Sequence, residues 1–345
     1  MGSMASFSDW LEGARLRTLP AAAAPVLLGT AIAAHLGTWS IGRAALALGV
    51  ALLLQIGVNF SNDYSDGVRG TDEYREGPPR LTGGGLVSPN VVLAVALGCF
   101  ALAGVLGLWL LVVSKAWILL LAGVAAGAAA GVYTGGRNPY AYRGYGMSEL
   151  MVFVFFGLMA TLGTVWTQAA SLPWWSWLLG SVMGLLSINL LVINNLRDIP
   201  TDKVAGKITL PVRLGDARTR KLYVGVLIAA WVLAVVAMAG ASYGAMLPLD
   251  HDVFTSTAPL QSGSGDAGGN GPMLRFIPEI TNAVEAFVAV VLALSGLWLA
   301  RGLYGAPGEP APTGRGLLVS LRNSGLTILL WAVVIGAFLV ASVFH

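Results

Sequence analysis

The feature that most constrains this chain is a set of long stretches that carry no charge. Roughly 20 apolar residues, wound as a helix, cross a hydrocarbon core about 30 Å thick. Such stretches lie near 19–36, 42–62, 90–113, 116–134, 222–246, 281–302 and 322–344, and two more share the uncharged run from Leu150 to Leu196. That run is too long for one crossing and is broken at Ser171, Leu172 and Pro173, where proline cannot continue a helix. An open chain in lipid satisfies its backbone only as helix. The expected fold class is therefore an all-α membrane protein with nine transmembrane helices, forming a single domain over 1–345. Composition agrees, with 56% hydrophobic residues, 11% charged residues and a mean hydropathy of +0.74. The one cysteine, Cys99, sits in an apolar run, which excludes a disulfide framework. Residues 1–3 read as an expression scar ahead of Met4, and no secretory signal follows.

Nine crossings put the termini on opposite faces, and the basic residues assign the faces. All of the 20 lysines and arginines except Arg43, Lys115 and Arg275 fall on the side of the N-terminus. The positive-inside rule makes that side cytoplasmic, so a multi-pass protein of the cell membrane is expected, with its N-terminus cytoplasmic and its C-terminus external. The connection at 247–280, with its QSGSGDAGGNG tract, reads as a flexible external loop.

Against this apolar background, NFSNDYSDGVRGTDEYREGPPR at 59–80 is crowded with charge. It holds Asp63, Asp66, Asp72, Glu73 and Glu76 beside Arg69, Arg75 and Arg80. A second cluster, NNLRDIPTDKVAGK at 194–207, follows the sixth span. The first follows the second span, so both emerge on the same face. Asn62 with Asp66 and Asn194 with Asp198 share the spacing N-x-x-x-D. At a helix end, positions i and i+4 point the same way, so Asn62 with Asp66, and Asp198 with Asp202, each present oxygen donors together; Asp63 can join the first group. Oxygen donors without nearby histidine or cysteine suit a hard cation such as magnesium. His35, His251 and His345 are all remote, which argues against a zinc site or a histidine base. Crowded carboxylates repel unless cations neutralise them, and the neighbouring arginines and lysines favour a phosphate-bearing partner. No nucleic-acid partner is expected.

YTGGRNPYAYRGYG at 133–146 lies on the same face. Arg137 and Arg143 can reach a diphosphate, and Tyr133, Tyr140, Tyr142 and Tyr145 offer π faces to a developing cation. An interfacial aromatic belt is the competing reading. LTGGG at 81–85 allows close backbone approach to phosphate, or simply a turn.

On these residues the sequence resembles the UbiA superfamily of intramembrane aromatic prenyltransferases, and most of all its menaquinone branch, which uses 1,4-dihydroxy-2-naphthoate. The matching pieces are RTLPAAAAPVLLG, NDYSDGVRGTD, GPPRLTGGGLVSP, YTGGRNPYAYRGYGMSELMVFVFFGLMATLGT and NNLRDIPTDKVAGKITLPVRLG, spread over residues 17–215. The resemblance implies a UbiA-type bundle with a cytoplasmic-side active site and two Mg2+ ions held by Asn62, Asp66, Asp72, Asp198 and Asp202. It further implies a polyprenyl diphosphate donor, a dihydroxynaphthoate acceptor, a membrane-lipid setting, and loss of carbon dioxide and diphosphate. Asp66 and Asp72 are six residues apart where the family's pattern has four, which separates the expectation for Asp72 from that for Asp66. Arg80, Arg137, Arg143, Lys203, Asn194 and Tyr133 are the expected substrate-binding residues, and Asp63 the residue that orients or deprotonates the acceptor. An acceptor such as hydroxybenzoate or homogentisate stays open at this point. A transporter, the other class with many spans, would place its ionisable residues near the bilayer midplane; here they gather at helix ends.

Overall fold

A computed structural model describes residues 5–70, 80–134, 144–244, 273–305 and 310–343, with side chains left out at 129–134, 243–244 and 273–282. Among the described residues the regular structure is all helix, in the order α1 (Phe7–Ala14), α2 (Leu19–His35), α3 (Ile41–Val68), α4 (Pro89–Ser114), α5 (Leu119–Thr134), α6 (Met147–Val152), α7 (Ala160–Ala169), α8 (Trp174–Arg197), α9 (Ile199–Val204), α10 (Leu210–Leu214), α11 (Asp216–Gly244), α12 (Met273–Tyr304) and α13 (Leu317–Ala341). A π-helical turn, Phe153–Met159, joins α6 to α7 as one continuous span. Among the described residues, eight helices are long and apolar enough to cross a bilayer. The stretch read near 116–134 is the exception. As α5 it has 16 residues, about 24 Å of helix at 1.5 Å per residue, which is short of a full hydrocarbon core.

The break read at Ser171, Leu172 and Pro173 stands between α7 and α8. Several helix boundaries differ from the sequence reading, and two differences bear on the site. Helix α3 runs on to Val68, so Asn62 and Asp66 belong to its last two turns instead of following it. Helix α1 was not anticipated; Ser6 and Asp9 close a reciprocal capping box at its start, and Trp10 packs edge-on against Phe60 of α3.

Lipid gives helices little hydrophobic reason to associate, so close packing and small residues must hold them together. The principal core draws on α2, α8, α11, α12 and α13, around Leu28, Leu179, Met183, Met238, Leu292 and Trp331. A Cβ added to Gly157 would lie 2.4 Å from the Gly184 Cα, and one added to Gly29 would lie 2.7 Å from the Thr161 carbonyl oxygen. Helix α8 is thus clamped to the π turn by backbone contact.

Polar ties mark the two faces of the bundle. On one, His35 Nδ1 lies 3.0 Å from the Leu339 carbonyl oxygen, and Arg43 donates to the carbonyls of Thr167 and Val113. On the other, Asn59 donates to the Ala14 carbonyl, and Arg220 donates to the carbonyls of Leu303 and Pro312. Gly144 sits on that second face, packed against Arg213 and the Ile208 carbonyl.

Candidate functional site

The C-terminal half of α3 carries a polar stripe that begins before the motif read from sequence. Gln55 donates to Thr18 Oγ1 at 3.1 Å and to Asn59 Oδ1 at 3.2 Å, and Asn59 donates to the Ala14 carbonyl at 2.8 Å. This buried network ties α3 to the start of α2. One turn further, Asp63 is fully buried. Its two oxygens accept the backbone N–H groups of Leu81 at 3.2 Å and Thr82 at 2.9 Å, and Arg80 Nη1 lies 4.0 Å from Oδ2. Asp63 therefore fastens the segment after Arg80 onto α3, and Leu81 caps a small cluster with Phe60 and Ala14.

Asn62 and Asp66 lie on the cavity side of the same turns. The Asn62 Oδ1 is buried without a hydrogen-bond partner, and Asp66 Oδ1 lies 3.7 Å from the Lys207 ammonium. Lys207 closes the second cluster, five residues after Asp202, so this ion pair brings the two clusters together. In that second motif Asn194 is within α8, Asp198 caps its C-terminus and Asp202 is buried in α9. Arg197 grips Asp198 with two bonds of 2.7 and 2.6 Å, a charge-assisted fork.

One cavity of about 1300 Å³ runs from these motifs into the bundle, larger than the roughly 300–1,000 Å³ of an ordinary small-molecule site. Asn62, Asp63, Asp66, Arg80, Asn194, Asp198 and Asp202 all line it. Its body is apolar, with Val26, Leu54, Phe100, Leu111, Phe156 and Met159 on the wall. Leu97, Leu108, Leu120 and Val124 line it and are themselves exposed large apolar residues.

Not every residue expected at the site is there. Lys203 is exposed and absent from the cavity wall. Lys207 takes that place, because Gly206 at φ +68° turns the chain back and the Lys207 amide donates to the Asp202 carbonyl at 2.8 Å. Tyr145 lines the mouth, but Arg213 sits 3.9 Å above its ring and occupies one π face. Asp72, Arg137, Arg143, Tyr140, Tyr142, residues 1–3 and most of the 247–280 loop lie outside the described residues, as does the side chain of Tyr133. Arg197, Gln55, Asn59 and Glu149 are wall residues that the sequence reading passed over. A polar residue every four positions before the motif, at 55, 59 and 63, was the signal for two of them.

Among the described residues, no three carboxylate, histidine or cysteine side chains are gathered as a ready metal site. The donor set nonetheless fits a hard cation. It consists of amide and carboxylate oxygens from two motifs around one mouth, including the orphaned Asn62 Oδ1, and oxygen-only donors suit magnesium. Arg197 and Lys207 hold charge on Asp198 and Asp66 meanwhile.

Comparison with known proteins identifies relatives of the chain. The chain is 46% identical over 296 residues to the 1,4-dihydroxy-2-naphthoate octaprenyltransferase of Mycobacterium tuberculosis, covering 85% of this chain and 97% of that protein. The Mycobacterium leprae protein of the same description is 51% identical over 294 residues, with 85% and 97% covered. Among solved structures, a UbiA homolog from Archaeoglobus fulgidus bound to GPP and Mg2+ aligns with a TM-score of 0.59 at 16% identity, covering 95% of this chain and 99% of that one; at that identity the match speaks to the fold. Residues 22–250 match the model of the UbiA prenyltransferase family, and with the extended mycobacterial similarity this places the chain in the UbiA prenyltransferase family.

Proposed function

We propose that the protein transfers a polyprenyl group from polyprenyl diphosphate to 1,4-dihydroxy-2-naphthoate, releasing carbon dioxide and diphosphate and giving demethylmenaquinol, the reduced form of demethylmenaquinone. The observation that carries this reading is the Lys207–Asp66 contact, which gathers both acidic motifs at the polar mouth of one apolar chamber. Two full-length mycobacterial relatives described as octaprenyltransferases of this acceptor support the choice of substrate.

Asn62, Asp66, Asp72, Asp198 and Asp202 are the residues that would hold magnesium, two ions in this reading. A cation held by these residues would supply positive charge against the diphosphate leaving group. Arg80 and Lys207 are cations on the same wall and hold the diphosphate oxygens, with Arg137 and Arg143 assigned to the same task. Asn194 lines the wall toward the acceptor. Tyr133 is assigned to the allylic carbon, where its π face would stabilise a developing cation. The apolar body receives the prenyl tail from the lipid and keeps water from the cation. Asp63, with both oxygens engaged by backbone, positions Arg80 and its loop.

The ninth crossing is α5, since Ser114 and Lys115 adjoin the Arg43 face while Gly144 lies on the motif face. The motif face is the cytoplasmic face of the cell membrane, because it carries most of the lysines and arginines.

Purified protein in nanodiscs, given Mg2+, a polyprenyl diphosphate and 1,4-dihydroxy-2-naphthoate, is expected to form the prenylated naphthoquinol by mass analysis. Asp66→Ala and Asp198→Ala abolish that product. Unchanged turnover in both variants overturns the site. Product with hydroxybenzoate or homogentisate but not with the naphthoate overturns the acceptor.

A further inference from the structure

The cavity wall holds further orphaned polar atoms that belong to neither acidic motif. Glu149, in the first turn of α6, lines the cavity and is only 7% exposed, and its Oε1 is buried without a hydrogen-bond partner. No ion pair joins Glu149 to a cation among the described residues. Ser187 of α8 lines the same cavity, and its buried Oγ is likewise unpartnered. Helices α6 and α8 pack on each other. Ser187 lies seven residues before Asn194 on α8, about 10 Å deeper at 1.5 Å per residue. The π turn Phe153–Met159 begins four residues after Glu149, and π turns concentrate at functional sites. Leaving a buried carboxyl unpaired is unfavourable, so an orphan of this kind on a cavity wall marks a place that a ligand completes.

We propose that Glu149 holds the aromatic acceptor by a ring hydroxyl and takes that hydroxyl's proton as the ring attacks. The assignment rests on the prenyl-transfer reading above. The allylic C–O bond breaks, and its electron pair leaves on diphosphate. The ring carbon bearing the carboxylate forms the new C–C bond while the hydroxyl proton passes to Glu149 and the ring oxygen becomes a carbonyl. Loss of carbon dioxide returns the C–CO2 electron pair to the ring, and the oxygen regains its proton from Glu149. Protons balance over the cycle, and Glu149 ends as a carboxylate. Because the departing group is carbon dioxide instead of a proton, the reaction needs its base at a ring oxygen and none at a ring carbon. That base belongs on the chamber wall, apart from the acids at the diphosphate.

The test uses the full chain in nanodiscs with Mg2+, geranyl diphosphate and 1,4-dihydroxy-2-naphthoate. Glu149→Gln is nearly isosteric and removes the base while keeping the packing. The variant is expected to lose about a hundredfold or more in kcat, the scale of general-base catalysis. KM for geranyl diphosphate and its slow hydrolysis without acceptor stay at the wild-type values. Glu149→Asp, which keeps a proton acceptor one methylene shorter, recovers part of kcat and is read by the same ratio of coupling to hydrolysis. A Glu149→Gln kcat within threefold of wild type overturns the proposal. So does an equal fall in coupling and in acceptor-free hydrolysis, the mark of a structural effect. If the wild type itself prenylates no aromatic acid, the functional reading fails; if only the Glu149 result fails, prenyl transfer stands and this assignment falls.

Discussion

Replacing Asp63 by alanine should release the segment that follows Arg80 from α3. The wild-type carboxylate is fully buried and accepts the amides of Leu81 and Thr82 at 3.2 and 2.9 Å. Hydrogen bonds to a charged group contribute about 1.5–3 kcal/mol each, and a buried donor left unpaired adds to the loss. Leu81 is buried but Thr82 is partly open to solvent, so water can satisfy one of the two amides again; the net cost of opening the segment then comes to about 3 kcal/mol. At 1.4 kcal/mol per factor of ten, that is about a hundredfold in the opening equilibrium. Hydrogen exchange followed by mass spectrometry on residues 80–87 reads that equilibrium directly, because the two amides are the donors in question. Protection there should fall about a hundredfold in Asp63→Ala, with Asp63→Asn, which keeps one acceptor, in between. Protection at α8 should stay unchanged. The functional consequence runs through Arg80, 4.0 Å away, so KM for the prenyl diphosphate rises more than KM for the acceptor. A change in protection of less than threefold would refute the anchoring argument, and a defect confined to the acceptor would return Asp63 to the role first read from sequence.

Lys207→Met removes the cation that contacts Asp66 and should cut kcat/KM for the diphosphate by about 10–100-fold, the scale of one charge-assisted contact. Lys203→Met, on the exposed side of α9, should stay within about twofold in the same steady-state assay. Gly157→Ala puts a methyl group 2.4 Å from the Gly184 Cα, a backbone clash that forces α8 from the π turn; a destabilisation of about 1–3 kcal/mol should appear as earlier thermal aggregation in detergent. Chelation with EDTA should abolish product formation, and Mg2+ should restore it.

Much of the site was legible because its signals are local. A pair of oxygen-bearing side chains four residues apart near a helix end points one way whatever the rest of the chain does, and Asn62, Asp66, Asn194, Asp198 and Asp202 line one cavity. The choice between Lys203 and Lys207 was not local. Both follow the second motif, and only the left-handed turn at Gly206 decides which of them folds back over Asp66. Glu149 was passed over because a single acid at the start of an apolar span looks like an ordinary interfacial residue. That no ion pair joins it to a cation among the described residues is a property of the packed bundle.

The sequence alone determined that the chain lives in a bilayer, where most crossings begin and end, and that the two acidic motifs share a face. Each of these follows from hydropathy over about 20 residues and from the parity of crossings, which depend on neighbours along the chain. The tertiary structure decided which charges meet. It clasped the Arg80 segment with Asp63, put Lys207 against Asp66, and left one oxygen of Glu149 without a partner on the chamber wall. Those outcomes depend on segments up to 141 residues apart in sequence, from Asp66 to Lys207, brought to within a few ångströms by helix packing that no local window contains.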